Sequence, residues 1–246
     1  MRVDQPEFAD RRGSVAADLP DEGGDLHRSG VGDERLADVP TVEEYRATVD
    51  EVYRKYAIDQ GCARVREVEE NVVTPAMRRI ESEDPDRHLV GLDQRLKGED
   101  RLSEKVSRQV ESQPELTHGE AFASLKDAIR YTFQYSDDRY AEGLNTDRER
   151  LTSAGFELVE LRNTWNSDEY RGINSRWREP ESGQLFEIQF HTGASFEAKQ
   201  ATHPAYEKIR DPATSPTERD EMKNFQREVT SRIPVPRGAA DIPNYP

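Results

Sequence analysis

Several kinds of residue that often mark a site are scarce in this sequence. It contains one cysteine, Cys62, which excludes an intramolecular disulfide and a cysteine zinc site. That lone cysteine does not fix the compartment. No stretch approaches the ~20 apolar residues of a membrane helix, so no membrane partner is expected. Residues 1–30 lack the apolar run of a signal peptide. An exported form would need a signal removed from this chain or lying upstream of it; otherwise the protein is cytoplasmic. Apolar residues are also short, at 33% against 35% charged, so the core must be concentrated in part of the 246 residues. Positive charge is the last deficit: 35 lysines and arginines face 50 acidic residues, for a net charge of -15. Such a surface repels phosphate backbones and anionic lipid, which disfavours long nucleic acids as partners. It leaves room for a small basic pocket inside an acidic shell, of a size to hold a nucleotide.

The elements that are present can be read from pattern. Residues 1–39 are acidic and carry Gly23-Gly24 without periodicity, which predicts a flexible tail. Order is expected from Pro40, because Thr41 and Glu44 form a capping box. A helix to about Gln60 should follow, with Val42, Tyr45, Val49, Val52 and Tyr56 near one face. A second helix is expected over Ala63–Ile80, broken at Thr74-Pro75. Together they predict an N-terminal helical extension over 40–86 that packs against the main domain. Strands are expected at 88–97, 125–135, 156–163, 170–178 and 185–192, and helices at 102–110, 139–154, 194–210 and 216–231. The turn Glu179-Pro180-Glu181-Ser182-Gly183 joins the last two strands. The expected fold is α+β, a mixed sheet of about five strands flanked by helices. The main domain spans 87–233, and 234–246 reads as a C-terminal tail. There is no internal repeat.

Leu185–Thr192 is the most informative segment. Side chains alternate faces along a strand, so Phe186, Ile188 and Phe190 should face the core while Glu187, Gln189 and His191 share the other face. That second face is either a solvated surface or the floor of a polar cleft. The neighbouring strand, with Tyr170, Gly172 and Asn174 on one face, favours a cleft. Arg95, Lys97, Arg101 and Lys105 cluster upstream. They read as an ordinary charged helix face or as a group able to neutralise a triphosphate. Asp127 reads as a turn residue or, paired in space with Glu187, as a Mg²⁺ ligand; magnesium commonly takes one or two carboxylates together with substrate phosphates.

These blocks, Arg95-Leu96-Lys97 with Lys105, Asp127-Ala128-Ile129-Arg130, Tyr170-Arg171-Gly172-Ile173-Asn174 and Glu187-Ile188-Gln189-Phe190-His191-Thr192, resemble in order and rough spacing the RelA/SpoT-type synthetase domain over about residues 88–210. The chain is most similar to the stand-alone, secreted nucleotide 3′-pyrophosphokinases of actinomycetes and to RelA/SpoT-like domains of polymorphic toxins. The resemblance implies a nucleotidyltransferase-like fold and transfer of pyrophosphate from ATP to a purine nucleotide with Mg²⁺. It further implies that Arg95, Lys97, Arg101, Lys105 and Arg130 bind ATP, and that Asp127 and Glu187 hold the metal. Glu187 would also activate the acceptor 3′-hydroxyl. Tyr170 would stack on the acceptor base, with Asn174, Gln189 and His191 lining the acceptor side. The sequence departs from the family in three places. Asp127 lies closer to Arg130 than in longer members, residue 174 is asparagine where many have histidine, and residue 191 is histidine where many have arginine. Two alternatives remain, a toxin that pyrophosphorylates tRNA 3′ ends and an inactive nucleotide-binding module.

Overall fold

The computed structural model describes residues 40–246, and the expected tail at 1–39 lies outside the described residues. The chain divides into two compact units, Met1–Tyr45 and Arg46–Pro246. The described part of the first is the capped start of a helix, where the Glu44 carboxylate accepts from the Thr41 amide at 2.7 Å. The second holds the sheet.

The element order is α1 (Val42–Val68), a π turn (Glu69–Val73), α2 (Thr74–Ser82), β1 (Arg87–Val90), α3 (Glu99–Ser112), α4 (His118–Ala123), β2 (Arg130–Tyr135), α5 (Tyr140–Ser153), β3 (Glu157–Asn163), β4 (Ile173–Arg178), β5 (Leu185–Thr192), α6 (Gly193–Arg210) and α7 (Pro216–Ser231). The five strands form one mixed sheet in the order β1-β2-β5-β4-β3. Only the β2–β5 pair is parallel. The fold class is therefore the α+β arrangement that the sequence predicts.

The apolar side of β5 is the centre of the core. Phe186, Ile188 and Phe190 are fully buried and meet Tyr131 and Phe133 of β2 and Trp177 of β4 on the same face. Tyr140, Leu144 and Leu151 of α5 and Met77 and Ile80 of α2 cover that face. Fully burying one such side chain stabilises by roughly 1.5–3 kcal/mol, so this small apolar set anchors a chain that is 35% charged.

Three local expectations are corrected. The two N-terminal helices are one continuous helix through Gly61, where the Phe122 ring occupies the space a side chain would need. Its irregularity is the π turn at Glu69–Val73, immediately before Pro75 in the first turn of α2, where a missing amide costs least. The first strand stops at Val90, and the chain then turns through Leu92–Gln94 before a single bridge pairs Leu96 with Ile129. The 125–135 strand begins only at Arg130, so Asp127 stands in the turn before it.

Residues 234–246 lie along β3 instead of forming a tail. Tyr245 and Leu161 exchange backbone hydrogen bonds at 3.0 and 3.1 Å. Asn163 donates through Nδ2 to the carbonyls of Ala239 and Ile242, both at 2.8 Å.

Candidate active site

The side of the sheet away from the aromatic core is organised by register. Arg130 of β2 and Arg176 of β4 both pair in register with Glu187 of β5; the Arg130 guanidinium bonds the Glu187 carboxylate, while that of Arg176 bonds Glu160 of β3. One step along, Thr132 and Asn174 flank Gln189. These rows follow from the period of two along each strand.

The first row opens into a cleft of about 1050 Å³, bounded by α3 on one wall and α6 on the other. Leu102 and Val106 bury the far side of α3, which turns Arg101, Lys105 and Arg108 toward the cleft. Nine lysines and arginines line it against five carboxylates, in a chain whose net charge is -15. An acidic shell thus encloses a basic pocket, an arrangement that concentrates small anions.

Asp127 is the hub of this charge. Lys105 Nζ donates to both its oxygens at 2.8 Å, Lys97 Nζ lies 3.1 Å from Oδ2, and Arg130 Nη2 lies 3.6 Å from the same atom. Lys97 is brought there by backbone bonds: its amide donates to Ala128 at 2.9 Å, and the Arg130 amide donates to Arg95 at 2.7 Å. Burial by itself would raise the Asp127 carboxyl, but the Lys105 hydrogen bond and the charges of Lys97 and Lys105 outweigh it and bring the group to about 2. Lys97 is pushed down, chiefly by burial. Arg130 also donates through Nε to Glu187 Oε2 at 2.5 Å, tying the two carboxylates together through one guanidinium.

The second row is closed over by α6. His191 is fully buried. Its Nε2 lies 2.9 Å from the Tyr170 hydroxyl and its Nδ1 lies 2.8 Å from Ser195 Oγ. Tyr170 in turn donates to Asn174 Oδ1 at 3.0 Å. With that proton committed, the network closes for neutral His191 carrying its hydrogen on Nε2. Burial, with the Lys199 charge in addition, pulls the imidazole down to about 3. Lys199 Nζ donates to Gln189 Oε1 at 2.5 Å; burial, then the charge of Arg130, brings its ammonium down to about 8.

Of the eleven residues expected at the site, Lys97, Arg101, Lys105, Asp127, Arg130 and Glu187 line the cleft. Tyr170, Asn174, Gln189 and His191 form the adjoining hydrogen-bonded cluster. Arg95 is not brought in. Its Nε donates at 2.8 Å to the buried Glu69 of the π turn, which also accepts from the Tyr131 hydroxyl at 2.8 Å.

Sequence reasoning missed Arg176, Lys199, His203 and Tyr206. Arg176 lies two residues beyond Asn174 on β4 and shares its face, so its placement was readable. The other three fall at helical spacing on α6.

No protein-family model matches the chain, and no curated protein matches it. Among solved structures the chain is similar to small alarmone synthetase 1 from Bacillus subtilis bound to its product pppGpp, at 21% identity over 68% of this chain and 86% of that one, TM-score 0.44. It is also similar to a GTP pyrophosphokinase family protein from Streptococcus pneumoniae, at 14% identity over 78% of this chain and 90% of that one, TM-score 0.42. A third similarity is to a chain of the complex between the Type VI effector Tas1 and its immunity protein, at 16% identity over 72% and 95%, TM-score 0.47. With TM-scores below 0.5 the likeness is loose, and the functional reading rests on the chain's own residues.

Proposed function

We propose that this protein transfers the β,γ-pyrophosphate of ATP to the 3′-hydroxyl of a purine nucleotide, giving AMP and a (p)ppApp- or (p)ppGpp-type product. The observation that carries the reading is Glu187, a partly exposed carboxylate on a central strand, bonded by Arg130 and lining a pocket rich in cations. In-line transfer forms a bond from the acceptor 3′-oxygen to the β-phosphorus and breaks the bond from that phosphorus to the oxygen bridging to the α-phosphate. AMP leaves with that oxygen. Glu187 takes the acceptor proton. Lys97, Arg101 and Lys105 offset the charge of the donor phosphates, and Arg130 steadies both carboxylates. Tyr170 and Asn174, which stay partly exposed, form the acceptor side, while Gln189 and His191 are buried behind them and His191 holds the Tyr170 hydroxyl.

The donor set fits magnesium. Asp127 and Glu187 both reach Arg130, which brings the two carboxylates to one wall of the cleft. Two carboxylates with the remaining positions left to water and phosphate is the usual arrangement for this ion. Bound with ATP, it would supply charge neutralisation along the phosphates. Asp127 and Glu187 would hold it, which requires Lys105 and Arg130 to pass from carboxylate to phosphate as the nucleotide enters.

The test is substitution at nearly constant shape. Glu187→Gln is expected to lower transfer from ATP by about a hundredfold or more while leaving the melting temperature close to that of the parent. Asp127→Asn is expected to do the same. Activity within about tenfold of the parent, roughly 1.4 kcal/mol of barrier, would remove that residue from the mechanism.

A further inference from the structure

Lys199, His203, Tyr206 and Arg210 are spaced by four, three and four residues along α6. That spacing puts them in one stripe, about 16 Å long at 1.5 Å per residue. Lys199 ends the stripe at the sheet, where it holds Gln189, and the other three line the cleft. The stripe faces the cations of α3, so the two walls differ in kind. One offers Arg101 and Lys105, and the other offers rings. Tyr206 remains 44% exposed. The His203 ring is stacked beside it with centroids 6.5 Å apart and planes 23° from parallel. Arg210 lies 5.5 Å from the Tyr206 centroid, and its Nη1 donates to the hydroxyl at 3.4 Å. Tyr206 and His203 are the aromatic rings among the residues lining the cleft. Tyr170 does not line it, and its hydroxyl is held by two partners. Pro204 interrupts the helix bonding between these two rings. A breach of local helix chemistry in mid-stripe is the sort of conflict that collects at binding sites.

We infer that Tyr206, flanked by His203 and Arg210, is the platform on which the base of the cleft-bound nucleoside triphosphate stacks, the nucleotide whose phosphates lie on Arg101 and Lys105. The inference rests on the proposed function and adds to it a subsite for the donor base. Two positive walls could hold phosphate alone. The exposed ring gives the cleft a place for a flat, apolar ligand half, and Arg210 beside it offers a base a further cation–π contact. Stacking accepts any purine, so the platform supplies affinity more than choice of base.

Equilibrium titration of the full chain with a non-hydrolysable ATP analogue and, separately, with inorganic tripolyphosphate tests this, both in magnesium. Tyr206→Ala is expected to weaken the ATP analogue by about tenfold or more and to leave tripolyphosphate unchanged, because tripolyphosphate has no base to lose. Tyr206→Phe should retain the parent affinity for the analogue. Equal weakening of both ligands by Tyr206→Ala would show that α6 had been disturbed and would overturn the inference. Unchanged affinity for the analogue would also overturn it while leaving the proposed function standing. Failure of the parent protein to bind the analogue would remove the proposed function and the platform together.

Discussion

His191 shows how a single residue couples the candidate site to the fold. It is enclosed and neutral, held from both nitrogens, and drawn down to about 3. Unfolded, the same imidazole titrates near 6.5. Between those two values the unfolded chain binds a proton that the folded chain refuses. His191 therefore destabilises the fold as pH falls from about 6.5 toward 3, by up to about 1.4 kcal/mol per pH unit. The fall of the melting temperature from pH 7 to pH 5 is expected to be shallower in His191→Gln than in the parent, and equal slopes would show that His191 is protonated in the folded protein. Gly172 belongs to the same contact. A Cβ there would stand 2.7 Å from His191 Cε1, and a ring held from both nitrogens has no free direction in which to move. Gly172→Ala is expected to cost about 1–3 kcal/mol in chemical denaturation. A cost near zero would mean that the ring yields easily.

At the scale of elements, β3 is the outer strand of the sheet and would present unpaired amides and carbonyls. The last residues cover it: Tyr245 pairs with Leu161, and Ala239 and Ile242 enter the core. Truncation after Pro236 is expected to lower stability by at least about 2 kcal/mol and to make the protein prone to association. Denaturant unfolding together with light scattering measures both effects, and an unchanged, monodisperse protein would contradict this role. These residues read as a tail in the sequence because nothing local marks a segment whose partners lie more than seventy positions away. What could be read was periodic or punctuated. β5 spans Leu185–Thr192 and α7 spans Pro216–Ser231, as their patterns predict. Arg95 was misplaced for the converse reason: its cationic neighbours suggest the cleft, while Glu69, which holds it, sits on the π turn twenty-six positions earlier. The α6 stripe was readable in principle at spacings of four, three and four, but strand alternation on β5 was the stronger signal.

For the whole molecule the governing fact is the contrast between a net charge of -15 and a cleft with nine cationic side chains. Long-range repulsion acts against a polyanion, while the cleft acts over a few ångströms on a ligand small enough to enter it. No helix among the described residues is long and apolar enough to cross a membrane. The central claim is therefore a claim about the acceptor as well as the reaction: pyrophosphate moves from ATP to a free purine nucleotide. The most direct measurement supplies γ-labelled ATP, magnesium, free ADP and GDP, and tRNA to the protein in one reaction and identifies the labelled products by mass. The account predicts label on a nucleotide 3′-oxygen, AMP in equal amount, and neither product with Glu187→Gln. Label found chiefly on the 3′ end of tRNA, or no transfer to any acceptor, would contradict it.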